Sequence, residues 1–123
     1  MELKNNLYSI ISADEAGKSF RLRLIPDCVI YRAHFPELPV TPGVCIIQIV
    51  SELLAELFPG ESELKSVINA KYLAVINPGE TREIDCTFKK TEFADDGESV
   101  KVSAIITSAD KVFTKLSLKY SRL

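Results

Sequence analysis

His34-Phe35-Pro36-Glu37-Leu38-Pro39-Val40-Thr41-Pro42-Gly43-Val44 runs directly into Cys45-Ile46-Ile47-Gln48-Ile49-Val50-Ser51-Glu52-Leu53-Leu54-Ala55-Glu56-Leu57-Phe58, closed by Pro59-Gly60. Two textures meet here. The ten residues from His34 to Gly43 hold three prolines. Each proline fixes its own φ and biases the residue before it away from helix, so this segment reads as a stiff, ordered loop. The residues after it read as a helix. Thr41 is placed as its N-cap, Pro42 suits the first helical position, and Pro59-Gly60 stops it. From Val44 to Val50 every residue but Gln48 is apolar. A helix apolar almost all round is buried on most sides. Its second half is amphipathic, with Ser51, Glu52 and Glu56 opposing Leu53, Leu54 and Leu57. The N-terminal end is therefore expected to lie deepest.

Strand patterns flank this helix. Upstream, Leu7 to Ile11 is short and apolar, and Phe20-Arg21-Leu22-Arg23-Leu24 alternates as a half-buried strand should. Ala16-Gly17-Lys18 between them reads as a hairpin turn, and Cys28 to Tyr31 forms a further apolar stretch. Downstream, Val67 to Val75 is a strand candidate closing at Asn77-Pro78-Gly79. Alternation returns around Ile84, Cys86 and Phe88, then from Val100 to Ile106, then from Val112 to Tyr120. Asp95-Asp96-Gly97 and Ser108-Ala109-Asp110 supply the turns. About six strands and one long helix make an α+β layer architecture, the helix covering one face of a curved antiparallel sheet.

Composition bounds the function. The chain of 123 residues is 46% hydrophobic and 26% charged, which are globular proportions, and residues 1–123 fit a single domain. A formal net charge of −2 offers no broad basic field, so nucleic acid is not an expected partner. Cys28, Cys45 and Cys86 are too far apart for a metal clip and odd in number, and there is one histidine, so no metal is expected. They read as small buried hydrophobes in a reducing compartment. No secretory h-region or membrane span is present in the sequence, and a cytoplasmic location is the expectation.

The pattern His34-Phe35-Pro36-x-x-Pro39-Val40-x-Pro42-Gly43-Val44 resembles the active-site signature of the 3-hydroxyacyl-acyl carrier protein dehydratases. A second stretch, Ala70-Lys71-Tyr72-Leu73-Ala74-Val75-Ile76-Asn77-Pro78-Gly79, is similar to that family's strand ending in a Pro-Gly turn. The resemblance implies the hotdog fold, in which an antiparallel sheet wraps a long helix. It also implies a site at a dimer interface, where His34 of one subunit faces the helix of the other.

The chemistry of that family explains the residue types. Dehydration removes a proton from the carbon beside a thioester carbonyl and expels a hydroxyl from the next carbon. Histidine is the natural base near neutral pH. The first N–H groups of a helix can stabilise the enolate oxygen, and Gly43 lets the carbonyl approach the backbone closely. The resemblance thus makes His34 the base and the Gly43 N–H the carbonyl donor, with Phe35, Pro36, Val40, Pro42 and Val44 as substrate-binding residues. The family places a Glu or Asp fourteen residues after the histidine, where this chain has Gln48. An amide can bind the hydroxyl but cannot deliver a proton. General acid catalysis is worth about 10²–10⁴-fold, so this departure weighs most. Gln48 can also be a buried polar residue bonded to backbone, or part of an oligomer interface.

Three functions compete. The first is a dehydratase-like enzyme acting on a 3-hydroxyacyl thioester of acyl carrier protein or coenzyme A, with no cofactor, working as a homodimer or higher homo-oligomer. The second is an impaired subunit that forms a heterodimer with a related, active dehydratase. The third, against which the His-Phe-Pro signature argues, is a hotdog thioesterase. Cys45 reads as packing. Ile46, Ile47, Ile49 and Val50 read as core first and acyl-tunnel lining second. Lys71, Arg82, Lys89 and Lys90 read as a solvated face that can also steer an acidic carrier protein.

Overall fold

The computed structural model describes residues 2–16, 18–33 and 37–122. Strands β1 (Tyr8–Asp14) and β2 (Ser19–Leu24) lead into a short helix α1 (Val29–Ala33) and then the long helix α2 (Gly43–Leu57). Strands β3 (Ser62–Tyr72), β4 (Glu83–Phe93), β5 (Ser99–Ser108) and β6 (Lys111–Arg122) complete the chain. All six pair antiparallel in one sheet, in the order β1-β2-β4-β5-β6-β3. This is the expected hotdog arrangement of a sheet around a central helix.

Alternation in sequence becomes alternation of faces. Phe20, Leu22 and Leu24 of β2, Ile84, Cys86 and Phe88 of β4, and Val100, Val102, Ala104 and Ile106 of β5 all point inward and are buried. They meet Cys45, Ile46, Ile49, Val50, Leu53 and Leu54 of α2 in one core. The period-2 and period-3.6 patterns thus face each other, and each hides what the other cannot. The turn at Asp95-Asp96-Gly97 holds Gly97 at φ +72, a conformation that favours glycine.

Several expectations need correction. Thr41 does not cap α2. The cap position falls on Pro42, with no side-chain cap bond. Pro42 accordingly precedes the first helical residue, Gly43, instead of occupying that place. Thr41 is buried and its hydroxyl is used elsewhere: it lies 2.8 Å from the Tyr31 hydroxyl and donates to the Ile76 carbonyl at 3.1 Å. The apolar stretch from Cys28 to Tyr31 leads into α1, with the Tyr31 N–H donating to the Cys28 carbonyl. Strand β3 begins at Ser62 and ends at Tyr72, short of Val75, because the N–H groups of Leu73 and Ala74 both turn to the Phe113 carbonyl. The N-terminal end of α2 is not its deepest part. Val44 is 71% exposed, whereas Leu53 and Leu54 are fully buried. The sheet curves over one face of α2 and leaves the face toward β3 open.

Candidate active site

The open face of α2 lines a groove of about 980 Å³. Val44, Ile47, Gln48, Ser51, Glu52 and Ala55 form the helix wall; Leu64 and Val67 of β3 stand opposite, beside Tyr120. The helical period puts residues 44, 47, 48, 51, 52 and 55 on one face, the complement of the buried stripe.

At the head of this wall lies the start of α2. Among the described residues, neither Gly43 nor Val44 donates its N–H to a backbone acceptor, as the first turn of a helix requires. The Tyr72 hydroxyl donates to the Gly43 carbonyl at 3.1 Å. A Cβ on residue 43 would come within 2.8 Å of Tyr72 Cζ and Oη. Glycine here therefore allows the β3 tyrosine to lie directly on the helix start. Pro42 and Val40 are half-buried just before it. Buried Tyr31 and Thr41 bracket the proline loop, and the Tyr31–Thr41–Ile76 bonds tie its two ends together. His34, Phe35 and Pro36 lie between those ends and outside the described residues.

One turn further along α2, Gln48 donates from Nε2 to Glu52 Oε2 at 2.8 Å. The amphipathic pattern places Glu52 on a solvent-facing side, but the carboxylate is fully engaged within the fold. Its Oε2 also accepts from the Leu3 N–H at 2.7 Å, and its Oε1 accepts from the Lys4 N–H at 2.9 Å and the Tyr8 hydroxyl at 2.8 Å. A carboxylate has about four acceptor sites, and all four are taken. This has two consequences. Since Glu52 only accepts, it fixes the Gln48 amide with Nε2 toward itself and Oε1 turned away. And Glu52, committed to four donors, is not available as the proton donor that Gln48 cannot be. On the Tyr8 side, burial and this bond push the phenol far above its ordinary range, so it stays a donor.

Cys45 is buried at the start of α2, and burial pushes its thiol up, which agrees with a packing role. Ile46, Ile49 and Val50 are core, while Ile47 lines the groove. Cys28, Cys45 and Cys86 are free. Among the described residues no three His, Cys, Asp or Glu side chains gather as a metal site, and no helix is long and apolar enough to cross a membrane.

The site reasoning from sequence missed Glu52 and Tyr72. Tyr72 stood in the second matched stretch without a role. Glu52 carried a faint signal, since it lies four residues after Gln48 and on its helix face.

The model of the ApeI-like family, described as ApeI dehydratase, matches residues 11–117. A 3-hydroxyacyl-[acyl-carrier-protein] dehydratase FabZ from Latilactobacillus sakei is 34% identical over 68 residues, covering 50% of this chain and 49% of that protein. The FabZ of Burkholderia thailandensis is 31% identical over 70 residues, covering 49% of this chain and 44% of the relative. The chain spans about half the length of the curated relatives it matches. In structure, it is similar to a chain of the dehydratase heterocomplex ApeI:P from Xenorhabdus doucetiae. The TM-score is 0.72 with 18% identity, covering 94% of this chain and 98% of that one. At that identity the likeness speaks for the fold.

Proposed function

The chain belongs to the ApeI-like dehydratase family, and from that premise we propose that it acts on 3-hydroxyacyl thioesters. His34 is the base that takes the proton beside the thioester carbonyl. The Gly43 N–H, at the open start of α2, receives the carbonyl oxygen as charge develops on it. Gln48 accepts a hydrogen bond from the 3-hydroxyl through Oε1, the orientation its bond to Glu52 favours. Phe35, Pro36, Val40, Pro42 and Val44 contact the acyl thioester, whose carrier is acyl carrier protein or coenzyme A. The groove between α2 and β3 takes a second subunit, so that His34 of one faces Gln48 of the other. The observation that supports this reading is that Val44 and Gln48 line the helix wall of the groove, with Gly43 next to Val44 at the start of the same helix.

The leaving hydroxyl still needs a proton. Because all four acceptor sites of Glu52 are filled, the donor is water or a residue of a paired subunit. This favours a second reading, in which a related dehydratase supplies the carboxylate and the pair is the active unit. A dehydratase heterocomplex exists among its structural neighbours.

Purified protein mixed with a short 3-hydroxyacyl thioester should form the enoyl thioester, and His34→Ala should remove that activity. Activity that survives His34→Ala sinks the mechanism. Gln48→Glu should raise the rate by about 10²–10⁴-fold if the acid alone is missing. No gain, together with restored turnover on adding a carboxylate-bearing partner, selects the paired reading.

A further inference from the structure

The outer face of the sheet divides into two electrostatic halves. On β2 and β4, charges are matched: Arg21 pairs with Asp85 and Arg23 with Glu83, both at 3.0 Å. Toward β5, β6 and β3 four lysines face one another instead. Lys71 of β3 sits directly opposite Lys115 of β6, and Lys101 of β5 directly opposite Lys119 of β6. Among the described residues, none of these four, nor Lys89, forms an ion pair. The one carboxylate in register with them, Glu92 across from Lys101, lies 3.7 Å from Lys90. Like charges directly opposite on neighbouring strands are destabilising, and this chain, with a net charge of −2, has acids to spare for neutralising them.

The facing pair is also not flat. Lys71, Lys89 and Lys115 ring a recess of about 360 Å³, whose lining adds the Ser103 and Ser117 hydroxyls and the Asn69 amide. Three ammonium groups, two hydroxyls and a carboxamide on this lining are donors of the kind a compact, doubly charged oxyanion takes. We propose that this recess binds a phosphate monoester, whose negative charge offsets the repulsion between Lys71 and Lys115. The site lies on the sheet face opposite α2 and uses none of the residues that hold or turn over the thioester in the dehydration reading, where Lys71 and Lys89 enter only as a face that can steer a carrier protein; phosphate binding is therefore tested apart from that reading, with no thioester or carrier present.

The test uses the full ¹⁵N-labelled chain. Inorganic phosphate and glycerol 3-phosphate should each shift the amides of Asn69, Lys71, Ser103, Lys115 and Ser117 saturably, while sodium chloride at equal ionic strength should not. Lys115→Gln should weaken glycerol 3-phosphate at least tenfold. It should also raise Tm in phosphate-free buffer, because one of two facing charges is gone, and it should abolish the Tm gain that phosphate gives the parent. Should Lys115→Gln fail to fold, Lys71→Gln on the edge strand serves the same purpose. Binding of glycerol 3-phosphate but not of phosphatidic acid vesicles assigns a free ester, and binding of both assigns a lipid headgroup. Equal shifts with chloride, undiminished binding by the variant, a lower variant Tm without phosphate, or binding to vesicles alone each overturns the proposal.

Discussion

Strands β5 and β3 are both antiparallel neighbours of β6, on its two sides. In β5 every second residue from Val100 to Ile106 is buried against α2. Strand β3, one residue longer, is exposed along nearly all of its length, with Val67, Ile68 and Tyr72 open on it. Backbone pairing is common to both, so hydrogen bonding does not separate them. What separates them is what their side chains meet: those of β5 share a buried core with α2, while Leu64 and Val67 of β3 face the groove across from it. Among the described residues the second edge of β3 is also unpaired. An exposed apolar edge strand is a liability in a monomer and an asset in an assembly.

The largest effect should come from removing a β5 side chain. Ile106→Ala leaves a cavity in the core and should cost about 2–5 kcal/mol by denaturant unfolding. Ile68→Ala on β3, in dilute single chains, should cost under about 0.5 kcal/mol. Equal losses in dilute protein would break the contrast.

The groove's helix wall is held differently from its strand wall. Glu52→Gln replaces two acceptor oxygens by one and an NH₂ group, so some of the four donors lose their acceptor. A loss of about 1–3 kcal/mol is expected. If unfolding is unchanged, the carboxylate does not secure that wall. The strand wall rests on Tyr72 at Gly43. Gly43→Ala forces the ring away and Tyr72→Phe deletes its hydroxyl, so both should lose the same bond, about 0.5–1.5 kcal/mol. A much larger loss for Gly43→Ala would place the strain in the backbone instead.

The last effect is absent at neutral pH and appears only in alkali. Burial pushes the Cys86 thiol from 9.0 up to about 12. The folded state therefore keeps a proton that the unfolded state releases, and stability falls as pH rises from about 9 to 12. Tyr31 and Tyr120, also raised to about 12, add to the slope. Cys86→Ala should flatten it in part, as Tm against pH would record; an unchanged slope removes the thiol from the account.

The architecture was legible because alternation and helical period depend on nearest neighbours in sequence. Phe20 to Leu24 and Val100 to Ile106 declare their faces without any partner in view. The site was legible only in type. A glutamate on the polar side of an amphipathic helix looks the same whether it faces water or accepts from residues 3, 4 and 8. Thr41, before a proline and a helix, has the look of a cap until Tyr31 and Ile76 claim its hydroxyl. Such roles are set by tertiary approach, to which local pattern is blind. The apolar run from Val44 to Val50 misled for a related reason: its excess over what one sheet covers is what the groove exposes.

The bonds from Leu3 and Lys4 to Glu52 span 49 and 48 residues, and that span has a meaning in time. At about 5–20 residues per second, the ribosome needs roughly 2–10 s to pass from one end to the other. Throughout that interval the segment leading into β1 has no acceptor to join, and the anchor of α2 has no donors from it. The segment leading into β1 is thus held back from its final place until the helix arrives, and closing that loop belongs among the later steps of assembly.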